Sequence, residues 1–214
     1  MPRQCACNPR SIPRLSRSSH ACITRRVPAY AYFILTAGWL LWAVPFFLAN
    51  RRAKQSPMKL DRRARWGIVL QAVAYTLLWQ NRFWTRSPGV WRIAGSIIFF
   101  ILAAALAWSA TRSLGRQWRI DAGLNADHQL VRSGAYRIVR HPIYTSMLCL
   151  LLGAGLMVTP WPVLLIAAVV LLIGTEIRVR VEDALLAAHF GEQFRVYRSS
   201  VGAYLPFAIQ RPKN

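Results

Sequence analysis

Apolar stretches almost free of charge alternate along this chain with short basic ones. Five apolar stretches stand out, at residues 30–48, 66–83, 93–111, 143–158 and 161–175. A helix needs roughly 20 mainly apolar residues to cross a bilayer, about 17–25 being the usual range. The first and third stretches meet that easily. The fourth and fifth are shorter and joined only by Thr159-Pro160-Trp161-Pro162, which predicts a tight helical hairpin. Tyr30, Trp66, Trp84, Trp91 and Trp161 sit near the ends, where an interfacial aromatic belt belongs. The pattern predicts an all-α fold: a polytopic helical membrane protein with about five transmembrane helices.

Charge sharpens this picture. The chain has 214 residues, 55% of them hydrophobic, with 28 Lys and Arg against 7 Asp and Glu and a net charge of +21. A soluble nucleic-acid binder this basic would carry its charge in stripes over a modest core. Here charge is nearly excluded from five long stretches, so membrane lipids rather than nucleic acid are the expected partners. Residues 1–29 carry +6, 49–65 carry +6, 82–92 carry +3 and 112–141 carry +4, whereas the link between the fourth and fifth stretches is uncharged. The positive-inside rule then places 49–65, 112–141 and the C-terminal tail in the cytoplasm. The +6 leader breaks the rule, since five crossings leave it outside. Either the first stretch stops short of crossing, or residues 1–28 are removed, or they are no part of the working protein. The expected organisation is a basic leader at 1–28, N-terminal transmembrane helices at 29–111, and a core with the hairpin and tail at 112–214. Cys5, Cys7, Cys22 and Cys149 show no metal-ligand or disulfide spacing.

Two polar clusters flank the hairpin. Before it, Gly134-x-Tyr136 is followed by Arg140-His141-Pro142-x-Tyr144 at the mouth of the fourth stretch. A basic juxtamembrane loop that meets lipid headgroups accounts for Arg137 and Arg140 taken alone as well as a site does. It does not account for the His, Pro and Tyr residues, which spanning a bilayer does not require. After the hairpin, Arg178 and Glu182 stand four residues apart and share a helix face. By themselves they read as an ordinary i,i+4 ion pair worth a few tenths of a kcal/mol. Both clusters fall on the same membrane face, where together they make a site. The amphipathic, basic stretch 189–197 is expected along the interface, closing that site from below.

Taken together, these residues resemble a family. Leu114-Gly115-Arg116-Gln117-Trp118, His128-Gln129-Leu130-Val131, Gly134-x-Tyr136, Arg140-His141-Pro142-x-Tyr144, Arg178-x-x-x-Glu182-Asp183, Phe190-Gly191, Tyr197 and Leu205-Pro206 occur in the order and spacing of the isoprenylcysteine carboxyl methyltransferases. The resemblance covers about residues 112–207 and is specific as a set. It implies a membrane enzyme using S-adenosyl-L-methionine, with a cofactor pocket in the C-terminal half. It further implies cofactor contacts from His128, Gln129, Leu130, Val131, Tyr136, His141, Pro142, Ile143, Tyr144 and Glu182. Arg178 is implied as the substrate residue, so Arg178 and Glu182 together carry the catalytic roles, and no metal is expected. The acceptor is a lipophilic small molecule or a lipidated substrate.

The chemistry of these residues suits that reading. Soluble methyltransferases usually cradle the cofactor at a Gly-rich strand-to-helix turn, and the sequence shows no such unit. Pro142 at a first helical position leaves helix N–H groups and a partial positive charge for a carboxylate. Glu182 suits an ammonium or ribose hydroxyls, and the Arg178 fork suits a carboxylate. A carboxylate acceptor needs no general base, only alignment and partial loss of water. An amine acceptor would need a nearby carboxylate, for which Glu182 or Asp183 serves. The chain departs from family habit at Asp121, where relatives carry an amide, at Asp183, where some have a second Glu, and at Phe194, where Tyr is common. The competing functions are phospholipid N-methylation, an NADPH-dependent reductase of the sterol type, and a small membrane protein without catalysis.

Overall fold

The computed structural model describes residues 28–51, 62–80, 88–115 and 129–204, and every regular element among them is helical. In chain order these are α1 (Ala29–Asn50), α2 (Arg62–Leu77), α3 (Val90–Leu114), a 3-10 turn (Gly134–Arg137), α4 (Pro142–Val158), α5 (Trp161–Phe190) and α6 (Glu192–Ser200). The leader, His128, Asp121, most of the basic connections used for orientation and residues beyond 204 lie outside the described residues.

Of the five expected crossings, α1, α3 and α5 are long and apolar enough to span a membrane. The helices in the second and fourth stretches are shorter, at 16 and 17 residues. The fifth stretch gives the larger departure. Rather than ending near Thr175, α5 continues unbroken for 30 residues. At 1.5 Å per residue it is about 45 Å long, well beyond the roughly 30 Å of bilayer hydrocarbon. No Pro or Gly interrupts its last four turns. It stops only at Gly191, whose φ of 52° is a left-handed conformation that glycine adopts without steric cost. The helix therefore carries Arg178 and Glu182 on the same continuous rod whose apolar part is long enough to span a membrane.

The hairpin turn lies where expected, at Thr159 and Pro160, but its arms pair chiefly with other helices. Helix α4 packs mostly on α3 and α5 mostly on α2, with a smaller α4–α5 contact, while α1 lies against α3 and α4. In lipid, close packing of small residues and interhelical hydrogen bonds replace the hydrophobic drive between helices. Both occur here. The Phe100 ring of α3 wedges between Gly38 of α1 and Gly153 of α4, where a Cβ at Gly38 would come within 2.5 Å of the ring. Gly67 of α2 and Gly174 of α5 face each other so closely that a Cβ at Gly174 would lie 2.8 Å from the Gly67 carbonyl. Polar groups stitch the helices together within the apolar layer. Ser96 donates to the Gly153 carbonyl (2.7 Å), Trp42 to Ser146 (3.0 Å) and Tyr75 to the Met147 carbonyl (2.7 Å). Phe33, Phe47, Ile101, Leu165, Ile166 and Val169 remain exposed on the outer faces, as lipid-facing side chains would.

Candidate functional site

The mouth of α4 is shaped by the turn before it. Gly134 has φ 60° and lies against Ser109 and Ser113 of α3, so closely that a side chain would clash. The Ala135 amide donates to Ser109 Oγ at 2.9 Å, which ties this turn to the end of α3. Four residues later the chain enters α4 through His141, with Pro142 in the first turn, where its missing N–H costs nothing. Residues 201–204 then lie across this entrance. The Arg140 and His141 amides donate to the Gly202 (2.8 Å) and Ala203 (3.1 Å) carbonyls, and Arg140 Nε donates to the Val201 carbonyl (2.9 Å).

Two carboxylates on α5 meet this mouth. Asp183, 6% exposed, accepts from Arg140 Nη1 at 2.7 Å and pairs with His141 Nε2 at 2.9 Å; Arg198 of α6 stands 3.8 Å away. Glu182 is more open, with its side chain 26% exposed. One of its oxygens accepts from the Tyr144 hydroxyl, and the other lies 3.5 Å from His141 Nδ1. His141 thus bridges neighbouring carboxylates. Burial disfavours its imidazolium, but hydrogen bonds to Asp183 and Glu182 outweigh that, and its pKa is raised above the usual 6.5.

Arg178 and Glu182 share a face as expected, yet their ion pair is loose, Nη2 to Oε1 being 4.0 Å. The Arg178 guanidinium instead lies over the Tyr144 ring, 5.3 Å from its centroid, and Nη1 donates to Gln71 Oε1 of α2 at 3.4 Å. Tyr144 therefore engages both members of the pair, giving its hydroxyl to Glu182 and its ring face to Arg178.

The other residues singled out in the sequence fall around this centre. Tyr136 lies in the 3-10 turn, and its carbonyl accepts from the Tyr197 hydroxyl of α6. Burial, then the Glu182 carboxylate and Tyr197, hold the Tyr136 hydroxyl protonated, its pKa well above 10. Pro142 is buried and Ile143 half-buried in the first turn of α4. Leu130 and Val131 are half-buried and Gln129 exposed in the chain that leads into the 3-10 turn. His128 lies outside the described residues. Helix α6 does fold under the centre, with Phe194 and Tyr197 buried. Phe194, 1% exposed, stands where a Tyr hydroxyl would be buried.

Three contributors were missed or misread. Arg140, read as no better than even for a lipid-facing role, is 4% exposed and ion-paired with Asp183, while Arg137 is exposed. Asp183, offered with Glu182 as a base for an amine acceptor, is held by Arg140 and His141. Gln71 was not singled out, although an amide in the middle of an apolar stretch is the signal that finds such residues. A carboxylate offers about four lone-pair sites, and Glu182 commits two, so it retains capacity for an ammonium or hydroxyl donor.

Comparison with known proteins bears directly on this centre. Residues 91–193 match the family model described as phospholipid methyltransferase. Over 156 residues the chain is 28% identical to the cobalt-zinc-cadmium resistance protein CzcN of Cupriavidus metallidurans, covering 72% of this chain and 68% of that protein. Over 110 residues it is 30% identical to the protein-S-isoprenylcysteine O-methyltransferase of Schizosaccharomyces pombe, covering 50% of this chain and 47% of the enzyme, or about half its length. The motif resemblance finds support in these matches: residues 91–193, which hold Tyr136, His141, Tyr144, Arg178 and Glu182, are the segment that matches the phospholipid methyltransferase model, in a chain with three helices long and apolar enough to span a membrane.

Proposed function

We propose that this protein is an integral-membrane methyltransferase that uses S-adenosylmethionine to methylate the carboxylate of a lipophilic acceptor. The observation that carries the reading is that Arg178 and Glu182 meet only loosely, at 4.0 Å, while both engage groups of other helices. A pair four residues apart on one helix would close on itself were stability its only role. Instead Glu182 takes the Tyr144 hydroxyl and lies near His141, while Arg178 reaches Gln71 of α2 and the Tyr144 ring. Glu182, Tyr144, His141 and the first turn of α4 form the cofactor side, with Tyr136, Pro142, Ile143 and residues 129–131 around it. Bound there, the cofactor supplies an electrophilic methyl on a sulfonium. Arg178 holds the acceptor carboxylate in its planar fork, which aligns one oxygen with that methyl and excludes water from it. Methylation of a carboxylate oxygen there would require no proton transfer, so no residue of the chain need act as a base. The site and the C-terminus face the cytoplasm in this reading.

N-methylation of a phospholipid headgroup is the second reading, favoured by the description of the matching family. It needs a base beside the amine. With Asp183 committed to Arg140 and His141, Glu182 is the carboxylate among the described residues of this centre placed to serve. Detergent-purified protein should bind S-adenosylhomocysteine in calorimetry and transfer labelled methyl to a farnesyl-cysteine analogue or to lipid extract as a base-labile ester. Label in phospholipid amines would favour the second reading. Binding of NADPH in place of S-adenosylhomocysteine would overturn both.

A further inference from the structure

Helix α2 lies outside the matched residues 91–193, yet it reaches the polar centre through one side chain. Gln71 is 4% exposed. Its Nε2 donates to Thr175 Oγ1 at 2.9 Å, and its Oε1 accepts from Arg178 Nη1 at 3.4 Å. We propose that Gln71 is a positioning residue, which fixes the orientation of the Arg178 guanidinium for the acceptor carboxylate. The inference rests on the role assigned to Arg178 above.

Leaving an amide unbonded in an apolar medium is costly, which favours a buried Gln between helices having both ends satisfied. Thr175 and Arg178 lie one turn apart on α5 and engage the two ends of the same amide. The approach of the helices is what permits this. A Cβ at Gly67 would lie 2.5 Å from Arg178 Cγ and 2.7 Å from the Gly174 carbonyl, so the Arg178 stem runs over a glycine. The guanidinium above that stem contacts groups from three helices: Gln71 of α2, the Tyr144 ring of α4 and, at 4.0 Å, Glu182 of α5. Recognition of a carboxylate by an arginine fork depends on the plane of the fork. The guanidinium carbon lies over the Tyr144 ring, a contact that by itself leaves rotation about the Nε–Cζ bond open. An edge contact such as Gln71 stops it.

The test uses the full chain in detergent with 15N-labelled arginine. Gln71→Met keeps side-chain length and removes the amide. Slow rotation of the Arg178 guanidinium in the unmodified protein should become fast in this variant. S-adenosylhomocysteine affinity should stay within twofold, and kcat/KM on the farnesyl-cysteine analogue or labelled lipid extract should fall about tenfold. On an Arg178→Lys background the same substitution should add less than twofold, because the fork it orients is gone. Unchanged guanidinium rotation in Gln71→Met overturns the proposal, as does an equal loss on both backgrounds, which marks a structural role. Should Gln71→Met fail to fold, Gln71→Asn retains the amide but stops one carbon short of Arg178, and the rotation measurement decides alone. Full methyl transfer by Arg178→Lys would remove the acceptor role of Arg178 and this proposal with it. Loss in Arg178→Lys together with unaltered rotation and turnover in Gln71→Met would remove this proposal alone.

Discussion

Tyr144 gives the two ends of one side chain to opposite charges, and the consequences of losing each charge should therefore differ in kind. Glu182→Gln should weaken S-adenosylhomocysteine binding, measured by calorimetry, by about tenfold, the loss expected of a charge-assisted hydrogen bond worth roughly 1.5–3 kcal/mol. Arg178→Lys should keep that affinity and depress turnover, because an ammonium cannot reproduce the planar fork. The exchanged pair, Arg178→Glu with Glu182→Arg, should stay inactive; full activity there would mean that only the ion pair mattered. His141 supplies a second expectation at this scale. Its pKa is higher folded than unfolded, so its contribution to stability is complete below pH 6.5 and is lost as pH rises through the raised value. Thermal midpoints in detergent should fall across that range for the unmodified protein and show a shallower fall for His141→Gln. Equal slopes would sink the assignment.

At the scale of helices, the contact between α2 and α5 depends on glycine rather than on side-chain interdigitation. Gly174→Leu would drive atoms into the Gly67 carbonyl and Leu70 Cβ, each 2.8 Å from the first added carbon. Overpacking of this kind costs about 1–3 kcal/mol, and the thermal midpoint should drop accordingly. A midpoint equal to that of the unmodified protein would mean that the helices pack more loosely than described. The helices themselves were legible because lipid leaves an apolar run few alternatives. Less legible was the length of α5. Periodicity marks where hydrophobicity ends, near Thr175, but a helix ends where its backbone is interrupted, and the next glycine after Gly174 is Gly191. The α4 mouth was readable because His141-Pro142-x-Tyr144 is local in sequence. Arg140–Asp183 and Gln71–Arg178 were not, since they join residues 43 and 107 positions apart, and no pattern in one chain reports which helix faces meet.

For the molecule as a whole, the charge pattern expects the 49–65 connection and the polar centre on one side of the membrane, facing the cytoplasm. A cysteine introduced at position 59, in a background lacking the native cysteines, should resist an impermeant thiol reagent in intact cells and react once they are opened. Strong labelling of intact cells would reverse the orientation. The same arrangement sets the route of both reactants. On the proposed function, a water-soluble cofactor and an acceptor anchored in lipid would reach the centre, at the polar end of α5, from different phases.

The crossing of residues 201–204 over the α4 entrance has a bearing on biosynthesis. Arg140 and His141 are translated some sixty residues before Val201, Gly202 and Ala203, whose carbonyls receive their N–H groups. Every helix among the described residues precedes those carbonyls in the chain, and a buried donor without a partner is costly. A chain truncated short of residue 201 would keep both carboxylates of α5 while Arg140 and His141 lacked these partners. The entrance to α4 is therefore completed only after every described helix has been made.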